Sequence, residues 1–117
     1  LYDPKYEIKD YCFCHGHKIV ETNKKILIIG HEQPAIVLRY GFDKIKIPVL
    51  LKGFYENKTL IVLPAFSPIS SGSEVNVIEK SEFLSPYLQN SNIEEFEVYG
   101  IAENISLYFG KIKNLKI

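Results

Sequence analysis

The sequence predicts a mainly β fold of the α+β kind, about seven strands with one or two short helices, on three observations. Short β-branched and aromatic runs, such as Lys25-Ile26-Leu27-Ile28-Ile29, recur along the chain and stop at glycine or proline. Residues 44 to 51 begin by alternating Lys44, Ile45, Lys46 and Ile47, the period-two pattern of a strand. Helical signals are confined to the neighbourhoods of Ser85-Pro86 and Asn92.

Taken in order, Tyr11 to Cys14 is a short aromatic and cysteine strand ending at His15. Residues 16 to 24 are polar and fit a turn or a short helix. Lys25 to Ile29 is continuously apolar after its first residue and ends at Gly30, as a strand buried on both faces does. Pro34 interrupts the chain, and Ala35 to Arg39 resumes it. A turn at Gly41-Phe42-Asp43 leads into Lys44 to Leu51, expected to hold one face to solvent. Gly53 to Lys58, carrying Glu56-Asn57, is expected as a hairpin connection into Thr59 to Leu63.

Pro, Ser and Gly then dominate from Pro64 to Asn76, giving a long loop with Phe66 and Ile69 as anchors. Such loops inside compact domains tend to be functional. Ser85 is placed to cap one helical turn with Pro86 at its first position, and Asn92 to Glu95 is placed as another. Phe96 to Ile101 and Ile105 to Phe109 flank Ala102-Glu103-Asn104 as a C-terminal hairpin. With no repeat and no linker, residues 1–117 are expected to form a single domain.

Composition narrows the function classes. At 46% hydrophobic and 13% aromatic, 117 residues can bury a core, which argues against disorder. Fourteen basic and fourteen acidic residues cancel, so no net field draws in a polyanion, and duplex nucleic acid is not favoured. The patch of Lys111, Lys113 and Lys116 reads as a solvated terminus. No apolar run approaches the ~20 residues that span a bilayer. The start, Leu1-Tyr2-Asp3-Pro4-Lys5, lacks a basic region followed by an apolar one, so a cytoplasmic chain without a signal peptide is expected. The absence of Met is compatible with a processed or fragmentary chain. Cys12 and Cys14, two apart on one strand, share a face and are too close for an unstrained disulfide.

Two histidines end apolar runs beside glycines: Cys14-His15-Gly16-His17 and Gly30-His31-Glu32-Gln33-Pro34. Glycine lets the backbone turn sharply there, and a neutral imidazole is a ligand for Mn, Fe, Zn or Ni. His15 and His31 are therefore candidate ligands of one metal; the other reading is that they are ordinary polar loop residues. A zinc knuckle from Cys12, Cys14, His15 and His17 matches no closed structural spacing and is crowded. Glu32 is expected as a surface carboxylate. No phosphate-cradling Gly-Lys-Ser, dinucleotide fingerprint or nucleophile elbow occurs, and no catalytic residue is singled out.

Those two His-Gly segments resemble the last two motifs of calcineurin-like metallophosphoesterases, a His-Gly pair and a Gly-His-x-His. The later Leu63-Pro64-Ala65-Phe66-Ser67-Pro68, Gly72, Val75-Asn76 and Tyr108-Phe109-Gly110-Lys111 are similar to one archaeal and bacterial subgroup, often associated with DNA ligase and helicase genes. The resemblance spans about residues 11 to 112. It implies a β-sandwich of two face-to-face sheets, of which this chain is the C-terminal half, and a binuclear Mn, Fe, Zn or Ni centre. It implies His15 and His31 on the second metal. Gln33 falls where the motif's second histidine would bind the first metal, and its carbonyl is a harder, weaker donor. The family's earlier Asp-x-His, Gly-Asp and Gly-Asn-His motifs are missing here. The resemblance thus implies a phosphomonoester or phosphodiester hydrolase that is active only with its N-terminal half. A DNA-repair association follows by family analogy alone. The rival expectation is a non-catalytic β-domain for oligomerisation or interaction, whose exposed strand edges and apolar face favour a homo-oligomer.

Overall fold

The computed structural model describes residues 5–65, 72–102 and 104–117. Among them one mixed sheet has nine strands: β1 (Lys5–Ile8), β2 (Tyr11–Cys14), β3 (Ile26–Ile29), β4 (Pro34–Tyr40), β5 (Asp43–Tyr55), β6 (Lys58–Val62), β7 (Ser73–Glu74), β8 (Glu97–Ala102) and β9 (Ile105–Lys111). A single four-residue helix, α1 (Pro86–Gln89), and three short 3-10 turns complete the described chain. The mainly β expectation holds. The count exceeds the expected seven because β1 and the two-residue β7 were not anticipated. None of the helices is long and apolar enough to cross a membrane among the described residues.

The sheet runs β1-β2-β3-β6-β5-β4-β7, with β8 joined to β5 and β9 to β8. The neighbours β2, β3 and β6 are parallel, so their C-terminal ends, Cys14, Ile29 and Val62, lie side by side. The expected stop of β5 at Leu51 falls short, since the strand continues through Gly53 to Tyr55. Glycine is required at 53 because a Cβ there would meet the Phe96 ring at 2.3 Å. Up to Pro48 β5 pairs with β4, and beyond it with β8 and then β6. A residue that has no N–H to give a ladder suits that change of partner.

One face of the sheet is the core. Cys12, Leu27, Leu60 and Gly53 stand in register across it, as do Cys14, Ile29, Val62, Leu51 and Val98. The helical segment after β7 covers them with Phe83, Tyr87, Leu88, Ile93 and Phe96, and Ile112 closes the end. Ser85 caps α1 by accepting the Tyr87 N–H, and Pro86 opens it as expected. The Tyr87 hydroxyl accepts the Val20 N–H at 2.9 Å, which pins the long segment between β2 and β3. Burial pushes the Tyr87 phenol well up.

The opposite face is open, and this corrects the expectation that residues 25–29 are buried on both faces. Leu27 and Ile29 are buried, but Ile26 and Ile28 are only half-covered. The Lys44–Ile47 stretch is also more exposed than expected, with Ile45 in solvent, because the β4–β5 ribbon outruns the core. The loop anchors Phe66 and Ile69 lie outside the described residues.

Part of the family-like pattern has a structural explanation. Val75 is buried, and the Asn76 amide spans three backbone groups. It accepts the Val37 N–H at 2.9 Å and donates to the Val37 and Leu115 carbonyls at 2.8 Å each. Gly110, at φ +95°, lies at the β8–β9 register shift, and Phe109 packs where Gly100 leaves room for its ring.

Candidate metal centre

The register Cys14↔Ile29 sets His15 and Gly30 beside each other at the ends of two parallel strands. Gly30 N–H donates to the His15 carbonyl at 3.1 Å, joining the loops as they leave the sheet. Gly16 follows at φ +100°, against Ile29. On the other loop His31 and Gln33 both adopt left-handed backbone, φ +61° and +51°. Such conformations cost non-glycine residues on the order of 1–3 kcal/mol and are held by their surroundings. Here the surroundings are built on Glu32.

Glu32 corrects the sequence expectation most. It is 1% exposed rather than a surface carboxylate. Its oxygens accept the Leu84 N–H at 2.9 Å, the Ser85 N–H at 2.8 Å and the Ser73 hydroxyl. Ser85 Oγ then donates to the Gly16 carbonyl at 2.6 Å. Glu32 and Ser85 thus bind both histidine loops to the start of α1. A charged acceptor with three donors forms the stronger class of hydrogen bond, and this one sits where water is excluded. The sequence clue available was the Ser85-Pro86 cap, whose neighbouring free N–H groups need an acceptor.

Above this clamp the imidazoles gather. His15 Nε2 and His31 Nδ1 are 3.0 Å apart, with ring centroids at 4.7 Å. His17 joins them, its ring 5.0 Å from His15 and 6.2 Å from His31. Partial burial, then the neighbouring His15 ring, hold His31 below the usual histidine range, with Glu32 opposing.

The contact is a hydrogen bond between the two ring nitrogens, and its length is also the separation of two ligands of one ion. Nitrogens about 2.1 Å from one ion at an octahedral angle of about 90° lie about 3.0 Å apart, the separation seen here. The fit stops at two. Among the described residues no set of three or more His, Cys, Asp or Glu is arranged to hold a metal ion. Gln33 is exposed, and its backbone carbonyl, not its side chain, accepts the Ser73 N–H. Cys12 is buried in the core and Cys14 lies 3.9 Å from the Tyr87 hydroxyl, so the zinc knuckle is not formed. Both cysteines are free thiols, and burial raises that of Cys14. An open groove of about 610 Å³ between Lys5, Thr22, Tyr55 and Lys58 is lined by none of the histidines.

Fold and site together define a mainly β chain that presents three clustered imidazoles, His15 and His31 directly paired, beside its parallel strand ends. No protein-family model matches the chain, and no curated protein and no solved structure matches it. The metallophosphoesterase resemblance rests on the motifs alone.

Proposed function

We propose that this chain is the C-terminal half of a metal-dependent phosphoesterase and supplies His15 and His31 to the second ion of a binuclear centre. The observation that carries the reading is the 3.0 Å approach of His15 Nε2 to His31 Nδ1, from two strand ends with family-like motifs. A divalent pair, when bound, supplies a nucleophile at neutral pH and offsets charge developing on phosphoryl oxygens. The chain's own part is positional. Glu32 and Ser85 fix the two loops, and partial burial lowers the basicity of His31. Gln33 stands at the first-metal position with an exposed side chain. The carboxylates needed to balance two divalent ions come from the N-terminal half in this reading, and the substrate class is a phosphomonoester or phosphodiester.

The test is a Mn2+ titration read by electron paramagnetic resonance, with bis(p-nitrophenyl) phosphate hydrolysis, on the longest native polypeptide that contains this sequence. His15→Ala and His31→Ala should each lose the bound-Mn2+ signal and hydrolysis at unchanged far-UV circular dichroism. A native polypeptide that binds no divalent metal ends this reading. The second reading, a non-catalytic β-domain that oligomerises, is favoured by the open apolar face of the sheet.

A further inference from the structure

Where β4 and β5 outrun the core they form a two-stranded ribbon whose faces differ in chemistry. Leu38 pairs with Ile45 on one face, while Arg39 pairs with Lys44 and Val37 with Lys46 on the other. Register partners stand about 5 Å apart at Cβ, and Lys44 and Lys46, two residues apart on one strand, about 7 Å. The three cations therefore crowd one side of the ribbon, and all three line a single cavity of about 250 Å³. Val37, Val77 and Ile117 form its apolar side. Glu74 is the one carboxylate side chain among the described residues that line it, 3.6 Å from Lys46. Asp43 is the register partner of Tyr40, so it belongs to the opposite face.

The Arg39 guanidinium and the Lys44 ammonium make no hydrogen bond or ion pair with the described residues. Lys46 is held in place by the Gly72 carbonyl at 3.3 Å. Three cations against one carboxylate leave a local excess of two positive side-chain charges, on a chain with no net charge. A phosphate group, at about −1.5 to −2 near neutral pH, matches that excess, and a singly charged carboxylate does not. The donors match it as well. Arg39 offers a planar fork to two phosphate oxygens, and the lysines add point charges. The cavity is smaller than the roughly 300–1,000 Å³ of a pocket for a drug-sized molecule, so it seats the charged group of a ligand rather than its body.

We propose that the β4–β5 cavity binds the terminal phosphate of a small phosphorylated ligand, held by Arg39, Lys44 and Lys46. None of the histidines lines it, so the proposal stands apart from the metal reading. Pyrophosphate is the probe, titrated calorimetrically in metal-free buffer into the longest native polypeptide that contains this sequence. Saturable binding is expected, with a dissociation constant below about 1 mM, and it should weaken as salt is added. Arg39→Gln and Lys44→Gln should each weaken it about tenfold or more, at unchanged circular dichroism. Glu74→Gln should tighten it by removing the opposing carboxylate, a gain that damaged folding does not produce. Lys25→Gln removes the same unit of charge just before β3, outside the cavity, and should leave the affinity unchanged. Absence of saturable binding, an Arg39→Gln protein as tight as wild type, a Glu74→Gln protein no tighter, or an equal loss in Lys25→Gln would each overturn the proposal. Capture of a single-stranded oligonucleotide or of phosphatidylglycerol vesicles by a protein that ignores pyrophosphate would overturn it equally.

Discussion

Removing the Glu32 carboxylate should be among the most damaging changes to this fold. Glu32→Ala strips the Leu84 and Ser85 N–H groups and the Ser73 hydroxyl of their shared acceptor. A buried donor stripped of its partner costs about 1–3 kcal/mol. The Ser73 hydroxyl can rotate to another acceptor, but the two amides are fixed by the start of α1. The expected loss is therefore about 3–5 kcal/mol, a large part of the ~5–15 kcal/mol that holds a domain together. Glu32→Gln keeps the shape but turns an amide group toward donors, so it should lose about 2 kcal/mol. The assay is urea unfolding followed by far-UV circular dichroism, with Glu94→Gln as the control. Glu94 pairs with Lys116 at 3.5 Å on the surface, and exposed pairs contribute about 0–1 kcal/mol. A Glu32→Ala protein within about 0.5 kcal/mol of wild type, the range of ordinary surface changes, would refute the clamp.

Three further outcomes follow from particular contacts. Gly53→Ala drives a methyl into the Phe96 ring and should cost about 1–3 kcal/mol, seen as a lower midpoint in thermal unfolding. Gly16→Ala forces an alanine into φ +100° with its Cβ 3.0 Å from the Cβ of Ile29. It should cost on the order of 1–3 kcal/mol and shift the His15 and His31 imidazole signals in NMR. Hydrogen bonds from Lys111 and then Lys113 hold the Glu95 carboxyl down to about 2. A depressed carboxyl stabilises the fold above its unfolded value near 4.5, and that stability is lost as pH falls toward 2. Glu95→Gln should therefore show a flatter stability profile than wild type between those limits, and an identical slope would contradict the assignment.

What the sequence disclosed was whatever local chemistry decides. Ile26–Ile29 is a strand because four apolar residues, three of them β-branched, end at Gly30. The turn before β6 falls at Glu56-Asn57, and the helical turn begins where Ser85-Pro86 caps it. The mutual approach of His15 and His31 was legible because both end parallel neighbours. Long-range facts were hidden. β1 carries no buried side chain, since it is an edge strand. The run of β5 through Gly53 depends on Phe96, forty-three residues later. Glu32 looked like a surface acid because its inward direction comes from the left-handed residues on either side, which no periodicity reveals. The half-covered Ile26 and Ile28 looked fully buried because an apolar run records what could be covered, and not what covers it.

The central claim is that His15 and His31 act as a pair toward one ion. Long-range 1H–15N NMR of the histidine rings during a Zn2+ titration tests it most directly. The account predicts that the His15 Nε2 and His31 Nδ1 resonances shift together along one saturation curve, and that either alanine substitution removes the response of the other. Resonances that stay fixed up to millimolar zinc, or two histidines that titrate independently, would contradict it.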